Sequence, residues 1–344
     1  VLVIKLDAVG DVLRSTSILP KIKARRPDSY LCWVTRRASA PLLKENPMVD
    51  EVWLYDDTET INRLAVEAWD VVYNLDNGFP SSALAARVNG REKVGFTLSA
   101  QGVIEPTNEA AERWLEMACF DRCKKENRRS YQEIMYEICG FSGPICRPVL
   151  HWADADKSAA DHALDDLWHE KSGGPLIGIN TGSGARWPLK MLSEERIADL
   201  IRALHRLHPD WRILLLGGPN EEAKNARLME QVDGTFTRAA SCRHTLLEFG
   251  ALVERCDLLI CGDTLALHMA TALRVPCVAL FCPTSADEIY DYDGDVHKVR
   301  TEDCECYCSY NAVCPHGKDC INRIPLERIC SEGEDALSGK NAPG

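Results

Sequence analysis

The chain of 344 residues has no apolar run near the roughly 20 residues that a membrane-spanning helix needs, so no transmembrane segment is expected. Its opening, VLVIKLDAVGD, has neither a basic leader nor a small-residue cleavage site, and the expected compartment is therefore the cytoplasm. Positive charge is in deficit: 40 Lys and Arg against 52 Asp and Glu leave a net charge of −12. Nothing in that balance offsets phosphate repulsion, so nucleic acid is not an expected partner. A local basic pocket can still take an anionic substrate. No G-x-G-x-x-G follows a strand in either half, which disfavours a nicotinamide dehydrogenase, and no internal repeat is visible.

What is present is a composition for a large core: 45% hydrophobic and 27% charged, long enough for two domains. Short β-branched or apolar segments at 1–6, 30–34, 51–55, 70–75 and 93–96 alternate with helical segments near 12–25, 38–45, 60–68 and 81–88. Pro20 is expected to kink the first helix. Such alternation with short polar connections predicts an α/β fold with a parallel, doubly wound sheet. Residues 107–140 read as one long helical stretch. Its basic run, Arg122, Lys124, Lys125, Arg128 and Arg129, suits a solvated helix face, and the other reading is a patch for a phosphorylated or membrane-surface acceptor. A first domain over 1–150, a polar junction over 151–175 and a second domain over 176–300 follow. Residues 301–337 make a cysteine-rich segment with a C-terminal helix, and 338–344 an unstructured tail.

The densest information lies in DLLICGDTLALHMATALRVPCVALFCPTS, residues 257–285. It predicts a buried strand at 258–261, a helix over 265–273 entered through Asp263 and Thr264, and a second buried strand at 277–281. A strand leading into a helix N-terminus aims unpaired amides at one point, which suits a phosphate. The plainer alternative makes Asp263 a helix cap and His268 a core histidine. Two more strand ends in this half carry suitable polar residues. Gly182, Ser183 and Gly184 let backbone approach an anion, Arg186 and Lys190 add charge, and Glu221 or Glu222 can accept from ribose hydroxyls. Ser193 is placed to cap a helix with Ile197, Leu200, Ile201 and Leu204 on its inner face.

Taken together, KLDAVGDVLRSTSILPKIKARRPDSYL, WDVVYNLDNG, NTGSGARWPLKMLSEERIADLI and LLEFGALVERCDLLICGDTLALHMATALRVPCVALFCPTS resemble glycosyltransferase family 9, the heptosyltransferases of lipopolysaccharide inner-core synthesis. The resemblance implies a GT-B fold, two Rossmann-like domains facing across a cleft, with a glycan or lipopolysaccharide acceptor on the first and a nucleotide sugar, ADP-heptose, on the second. It implies inversion at the anomeric carbon without a catalytic metal, and work at the inner face of the inner membrane. By the same resemblance Asp11 is the base, Lys190 lies beside the diphosphate and Glu222 near the nucleoside. Asp263, Thr264 and His268 match the family's donor-binding block, and Ser183, Gly184 and Arg186, read from their own chemistry, and Leu265, in that block, complete the expected donor set. Leu265 stands where the family has glycine, and Met191 follows Lys190 in place of the frequent Arg-Trp; both departures bear on the donor.

Asp11 at a helix N-terminus is favoured in its ionised form, and general-base help is typically about 10²–10⁴-fold. A plain N-cap role is the other account of Asp11, worth about 1 kcal/mol. Donor alternatives are another nucleotide sugar or a protein acceptor of the autotransporter kind, and the rival of another class is a non-catalytic sugar-nucleotide-binding module. Of sixteen cysteines, five crowd into DCECYCSYNAVCPHGKDC: Cys304, Cys306, Cys308, Cys314 and Cys320, with His316 nearby. Four thiolates suit a structural Zn²⁺ or Fe, although the C-x-x-C pairs of zinc sites are absent. Some relatives that heptosylate adhesins hold iron in a cysteine-rich finger. Reduced thiols or disulfides are the alternative.

Overall fold

The structure is a computed structural model that describes residues 1–168, 173–184, 187–301, 304, 307–314, 316–317 and 319–340. It divides into two compact units, Val1–Trp152 with Asp287–Tyr290, and Ala153–Ala286 with Asp291–Gly344.

The first unit is built on strands β1 (Leu2–Ile4), β2 (Cys32–Thr35), β3 (Glu51–Leu54), β4 (Ala68–Asn74), β5 (Asn89–Leu98) and β6 (Ile104–Pro106) in the order β3-β2-β1-β4-β5-β6. All pairings are parallel except the β5–β6 hairpin. Side chains of β1 alternate: Val3 joins one apolar cluster with Trp33, Val71 and Tyr73, while Leu2 and Ile4 join another with Cys32, Val34 and Val72. A sheet covered on both faces explains why these strands read as apolar runs. The first helical segment is α1 (Val9–Ser15), a 3₁₀ turn at Thr16–Ile18, then α2 (Leu19–Arg25) with Pro20 in its first turn, where its missing N–H costs nothing. Helices α3 (Pro41–Lys44), α4 (Thr58–Val66) and α5 (Phe79–Arg87) connect the following strands.

The stretch 107–140 is not one helix. It forms α6 (Glu109–Cys119), α7 (Asp121–Glu126) and α8 (Tyr131–Ile138), with Phe120 in extended backbone between the first two. Ser130 starts the third with a capping box, its hydroxyl accepting from the Glu133 amide while the Glu133 carboxylate accepts from the Ser130 amide. The basic run is largely neutralised locally: Arg122 pairs with Glu126, Lys124 with Asp121, Arg128 with Asp287 and Arg129 with Glu137.

The second unit opens with α9 (Asp154–Leu167), a helix inside the stretch expected as a junction. Strands β7 (Leu176–Asn180), β8 (Arg212–Leu216), β9 (Thr237–Ala239), β10 (Leu258–Gly262), β11 (Cys277–Phe281) and β12 (Val296–Arg300) form an all-parallel sheet in the order β12-β11-β10-β7-β8-β9. The helices are α10 (Glu194–Leu207), α11 (Glu222–Gln231), α12 (Leu246–Glu254), α13 (Leu265–Leu273) and α14 (Leu326–Lys340). Ser193 caps α10 as expected, accepting from the Arg196 amide. Ile197, Leu200, Ile201 and Leu204 pack with Ile177, Ile213, Leu258 and Val278 of the sheet and Ile329 of α14. That helix continues to Lys340, three residues into the segment expected as a tail. Among the described residues no helix is long and apolar enough to cross a membrane.

Each unit thus carries the Rossmann order, in which strand direction of travel reverses between the first and fourth strands. Ligands bind parallel α/β sheets beyond the carboxyl ends of the strands at that reversal. In the first unit this is the end of β1 and β4, and in the second the end of β7 and β10.

Candidate active site

Beyond β1 the chain turns through Asp7 and enters α1, which puts Asp11 in its first turn, with a half-buried side chain. Asp11 Oδ2 accepts from the Ala8 amide at 3.3 Å, and Oδ1 accepts from Arg14 at 2.8 Å. Arg14 is buried under Tyr131 of α8, its guanidinium carbon 3.8 Å from the ring centroid. Beneath them Lys5, 5% exposed, donates to Asp76 beyond β4, whose other oxygen accepts from the Leu6 amide at 2.5 Å. Burial works to lower the Lys5 pKa, but Asp76, Tyr131 and Asp11 outweigh it and the net shift is upward. Burial, opposed by Lys5, raises that of Tyr131. Asp11 was singled out by its place in the strand-plus-turn opening; Lys5 and Arg14 were not, because a lysine inside VLVIKL and an arginine inside a helix give no separate signal.

In the second unit the loop after β7 folds back on itself. Asn180 Nδ2 donates to the Gly182 carbonyl at 2.7 Å and to Thr264 Oγ1 at 3.3 Å, and Ser183 Oγ donates to the Trp187 carbonyl at 2.6 Å. Gly184 has φ of +70° with open space around it, a conformation suited to glycine. Lys190 ends the loop and reaches the end of β10. Its Nζ donates to Asp263 Oδ2 at 2.8 Å and to the Asp263 carbonyl at 3.1 Å, and both side chains are mostly buried. Asp263 therefore grips a lysine. The N-cap of α13 is Thr264, whose side chain makes no capping bond to the helix. Leu265, half-buried, is the first residue of that helix, and His268 is buried one turn further in. Arg186 lies outside the described residues.

The two glutamates after β8 part company. Glu222 is exposed and pairs with Arg243 at 3.3 Å. Glu221 turns back so that its carboxylate accepts from the Gly218 amide at 2.9 Å, and a methyl group on Gly182 would sit 2.3 Å from its carboxyl carbon. Glu221 lines a pocket of about 370 Å³ with Thr181, Gly182, Ser183, Gly184, Lys224 and Asp319. Lys224 pins this loop, donating to the Thr181 carbonyl at 3.0 Å and the Leu192 carbonyl at 3.2 Å, and burial lowers its pKa. The sequence offered no signal for Lys224, whose acceptors are both backbone.

Of the cysteine-rich stretch, the structure brings Cys304 and Cys320 together with Cys282, which directly follows β11. The three sulfurs lie within 4.8 Å of one another, with Cys282 and Cys304 at 3.5 Å. Cys308 and Cys314 are buried but outside this trio, and Cys306 falls outside the described residues. The Cys320 thiol is pushed up by burial first, then by Cys304 and Cys314. Cys282 was not foreseen, standing alone in sequence 22 residues before its neighbour.

The profile of Glycosyltransferase family 9 (heptosyltransferase) matches residues 58–318. The chain belongs to that family. It is 23% identical over 317 residues to lipopolysaccharide heptosyltransferase 2 of Salmonella typhimurium, covering 83% of this chain and 84% of that one. Among solved structures it matches a family 9 glycosyl transferase of Veillonella parvula with a TM-score of 0.80 and 21% identity, covering 98% of this chain and 97% of the other. It also matches the dodecameric iron-containing heptosyltransferase TibC of enterotoxigenic E. coli, solved with ADP-D-beta-D-heptose, with a TM-score of 0.56, 12% identity and coverage of 98% and 76%. The fold is of the GT-B class, and the family 9 chain is a glycosyltransferase.

Proposed function

We propose that this glycosyltransferase moves heptose from ADP-heptose to a hydroxyl of a lipopolysaccharide core or related glycan, with inversion and without a catalytic metal. The observation that supports this is that the loop after β7 carries Lys190 to the end of β10, beside the uncapped start of α13, while the same loop lines a pocket with Glu221. A nucleoside diphosphate needs a cation, amides and a hydrogen-bond acceptor for ribose, and the chemistry of this set matches each need. Relatives named for ADP-heptose and for lipopolysaccharide support the choice of donor and acceptor.

In the reaction, an acceptor hydroxyl attacks the anomeric carbon from the side opposite the diphosphate. The carbon–oxygen bond to ADP breaks, the proton passes to Asp11, and ADP leaves carrying the bonding electrons. Charge growing on the leaving phosphate is met by Lys190 and the α13 amides, each donor worth about 3 kcal/mol. Proton transfer comes late, when the attacking hydroxyl has become acidic, so a carboxylate is a sufficient base. Glu221 and Ser183 serve the nucleoside and the loop that covers it.

Leu265 favours a second reading of the donor. A leucine at the first position of α13, where the family has glycine, narrows the approach to the sugar. Another nucleotide sugar would relieve that crowding. We also propose a structural metal at Cys282, Cys304 and Cys320. Three sulfurs this close fit Zn²⁺ or Fe with metal–sulfur bonds of about 2.3 Å. Bound, it would tie the end of β11 to the cysteine-rich segment and take no part in transfer.

The test is release of ADP and formation of product from ADP-heptose, compared with UDP-, GDP- and CMP-sugars, using deacylated inner-core oligosaccharide as acceptor. Turnover with ADP-heptose at least tenfold above the others is expected. Turnover with a UDP- or GDP-sugar alone would overturn the donor, and retention at the anomeric carbon, read by NMR, would overturn the mechanism.

A further inference from the structure

We infer that Arg14 is a positioning residue for Asp11, clamped on the face of Tyr131 so that its guanidinium fixes the carboxylate in one orientation; this rests on the base assignment proposed above. An arginine three residues after an aspartate on a helix ordinarily makes an exposed pair of little worth. This one differs, because its side chain is 11% exposed and lies 3.8 Å over a tyrosine that is itself buried. Tyr131 grips Asp11 by two routes. Its ring holds Arg14, which donates to Asp11 Oδ1 at 2.8 Å. Its hydroxyl meets Ser15 Oγ at 2.7 Å, and Ser15 Oγ donates to the Asp11 backbone carbonyl at 2.6 Å. Side chain and backbone of Asp11 are thus tied to one ring on α8, an element far away in sequence.

The carboxylate has two oxygens and different holds on each. Oδ1 is held by Arg14, and Oδ2 faces the long 3.3 Å contact with the Ala8 amide. With Oδ1 on the guanidinium, the carboxylate plane is set by Arg14. The other charges of this group, Lys5 and Asp76, are paired with each other beneath it. Removing Arg14 therefore takes from Oδ1 the cation that holds it at 2.8 Å.

The experiment uses the full chain with ADP-heptose and deacylated inner-core oligosaccharide. Arg14→Met is expected to lower kcat about tenfold to a hundredfold, the range of a charge-assisted hydrogen bond. Donor affinity by calorimetry and acceptor KM should stay within about twofold, which a general loss of structure would not spare. Arg14→Lys, keeping the charge but not the fork, should recover part of the loss. In an Asp11→Asn background Arg14→Met should add less than about twofold, since it acts through Asp11. Tyr131→Leu, rescued by Tyr131→Phe, gives the same answer should Arg14→Met fail to fold. Wild-type kcat in Arg14→Met or Tyr131→Leu, Arg14→Lys no better than Arg14→Met, or full additivity with Asp11→Asn would each overturn the inference. Wild-type turnover in Asp11→Asn alone would instead remove the base assignment, a separately visible failure.

Discussion

Gly262 tests how tightly the second site is built. It is the last residue of β10, immediately before Asp263, and the loop carrying Lys190 passes directly over it. A β-carbon at this position would stand 2.1 Å from the Lys190 carbonyl oxygen, 3.2 Å from its carbonyl carbon and 3.0 Å from Met191 Sδ. The methionine can move aside, but the carbonyl is backbone. To reach ordinary contact the loop must retreat by about 1 Å, because repulsion rises steeply inside the van der Waals minimum. Overpacking of this kind costs about 1–3 kcal/mol, a few degrees of Tm in a unit of this size. The larger effect falls on Lys190. A retreat of that order would break the 2.8 Å contact with Asp263 and, on the proposed function, carry the ammonium away from the donor phosphate, and misplacement of about 1 Å can cost about 10² in rate. Gly262→Ala should therefore keep the fold, by circular dichroism and calorimetry, while lowering kcat/KM about a hundredfold. Gly102→Ala, in the first unit, is the control, since no atom lies within 4 Å of its β-carbon and only the strain of a φ of +77° is added. Wild-type kcat/KM in Gly262→Ala would refute the reasoning, showing that Lys190 does not depend on this contact.

Other perturbations separate the parts of the proposal. Asp11→Ala should lower turnover about 10²–10⁴-fold with donor affinity unchanged by calorimetry, and substantial turnover would dismiss it as the base. Glu221→Gln should weaken ADP binding about tenfold while Glu222→Gln changes it little, because the first carboxylate lines the pocket and the second faces solvent; the reverse order would restore Glu222 as the nucleoside contact. Cys282→Ser should cut zinc or iron, measured by elemental analysis of protein prepared without chelator, from about one per chain to well below half, since one of three sulfurs is lost; unchanged metal content would exclude Cys282 as a ligand. Lys5→Met should destabilise the first unit by about 3 kcal/mol in urea, stranding Asp76, and Lys5→Met with Asp76→Asn should recover much of it.

Strands β10 and β11 of the second sheet were legible because each is a fully buried run of five residues with a turn behind it. Residues 258–262 and 277–281 show this, and the Ala-rich helix between them has its start and stop signals in place. The three-residue strands β6 and β9 were not legible, since so short a run carries no period. Nor were the breaks within 107–140, although Ser130 and Glu133 have the spacing of a capping box. The sites divide in the same way. Residues on strand ends and glycine turns stand out, and so Asp11, Ser183, Lys190 and Asp263 could be singled out as candidates. Partners brought in from far along the chain do not: Asp76 lies 71 residues from Lys5, and Cys282 stands apart from the cysteine-rich stretch. The choice between Glu221 and Glu222 depends on which side of one helical turn faces Gly182, a question of one residue that sequence period cannot decide.

The two units place a lysine–aspartate pair at the same point of the same strand order, and the pairs differ in one physical respect. Lys5 is rooted in the sheet, its amide donating to the Val34 carbonyl at 3.1 Å, so its ammonium and Asp76 are fixed together. Lys190 is rooted in a 3₁₀ turn at the end of a loop of glycines, and its ammonium reaches across to the Asp263 carboxylate and carbonyl. The first pair can only hold two strands in register. On the proposed function the second would exchange partners, an arriving diphosphate competing with Asp263 for the same ammonium. That exchange keeps the cation from being left unpaired in a half-buried place when the donor is absent. It also sets a limit on affinity: the phosphate gains only the difference between itself and Asp263. If Lys190 meets a diphosphate as proposed, a chain with a net charge of −12 would carry that anion site without a standing excess of positive charge, with Asp263 holding the lysine until the donor arrives.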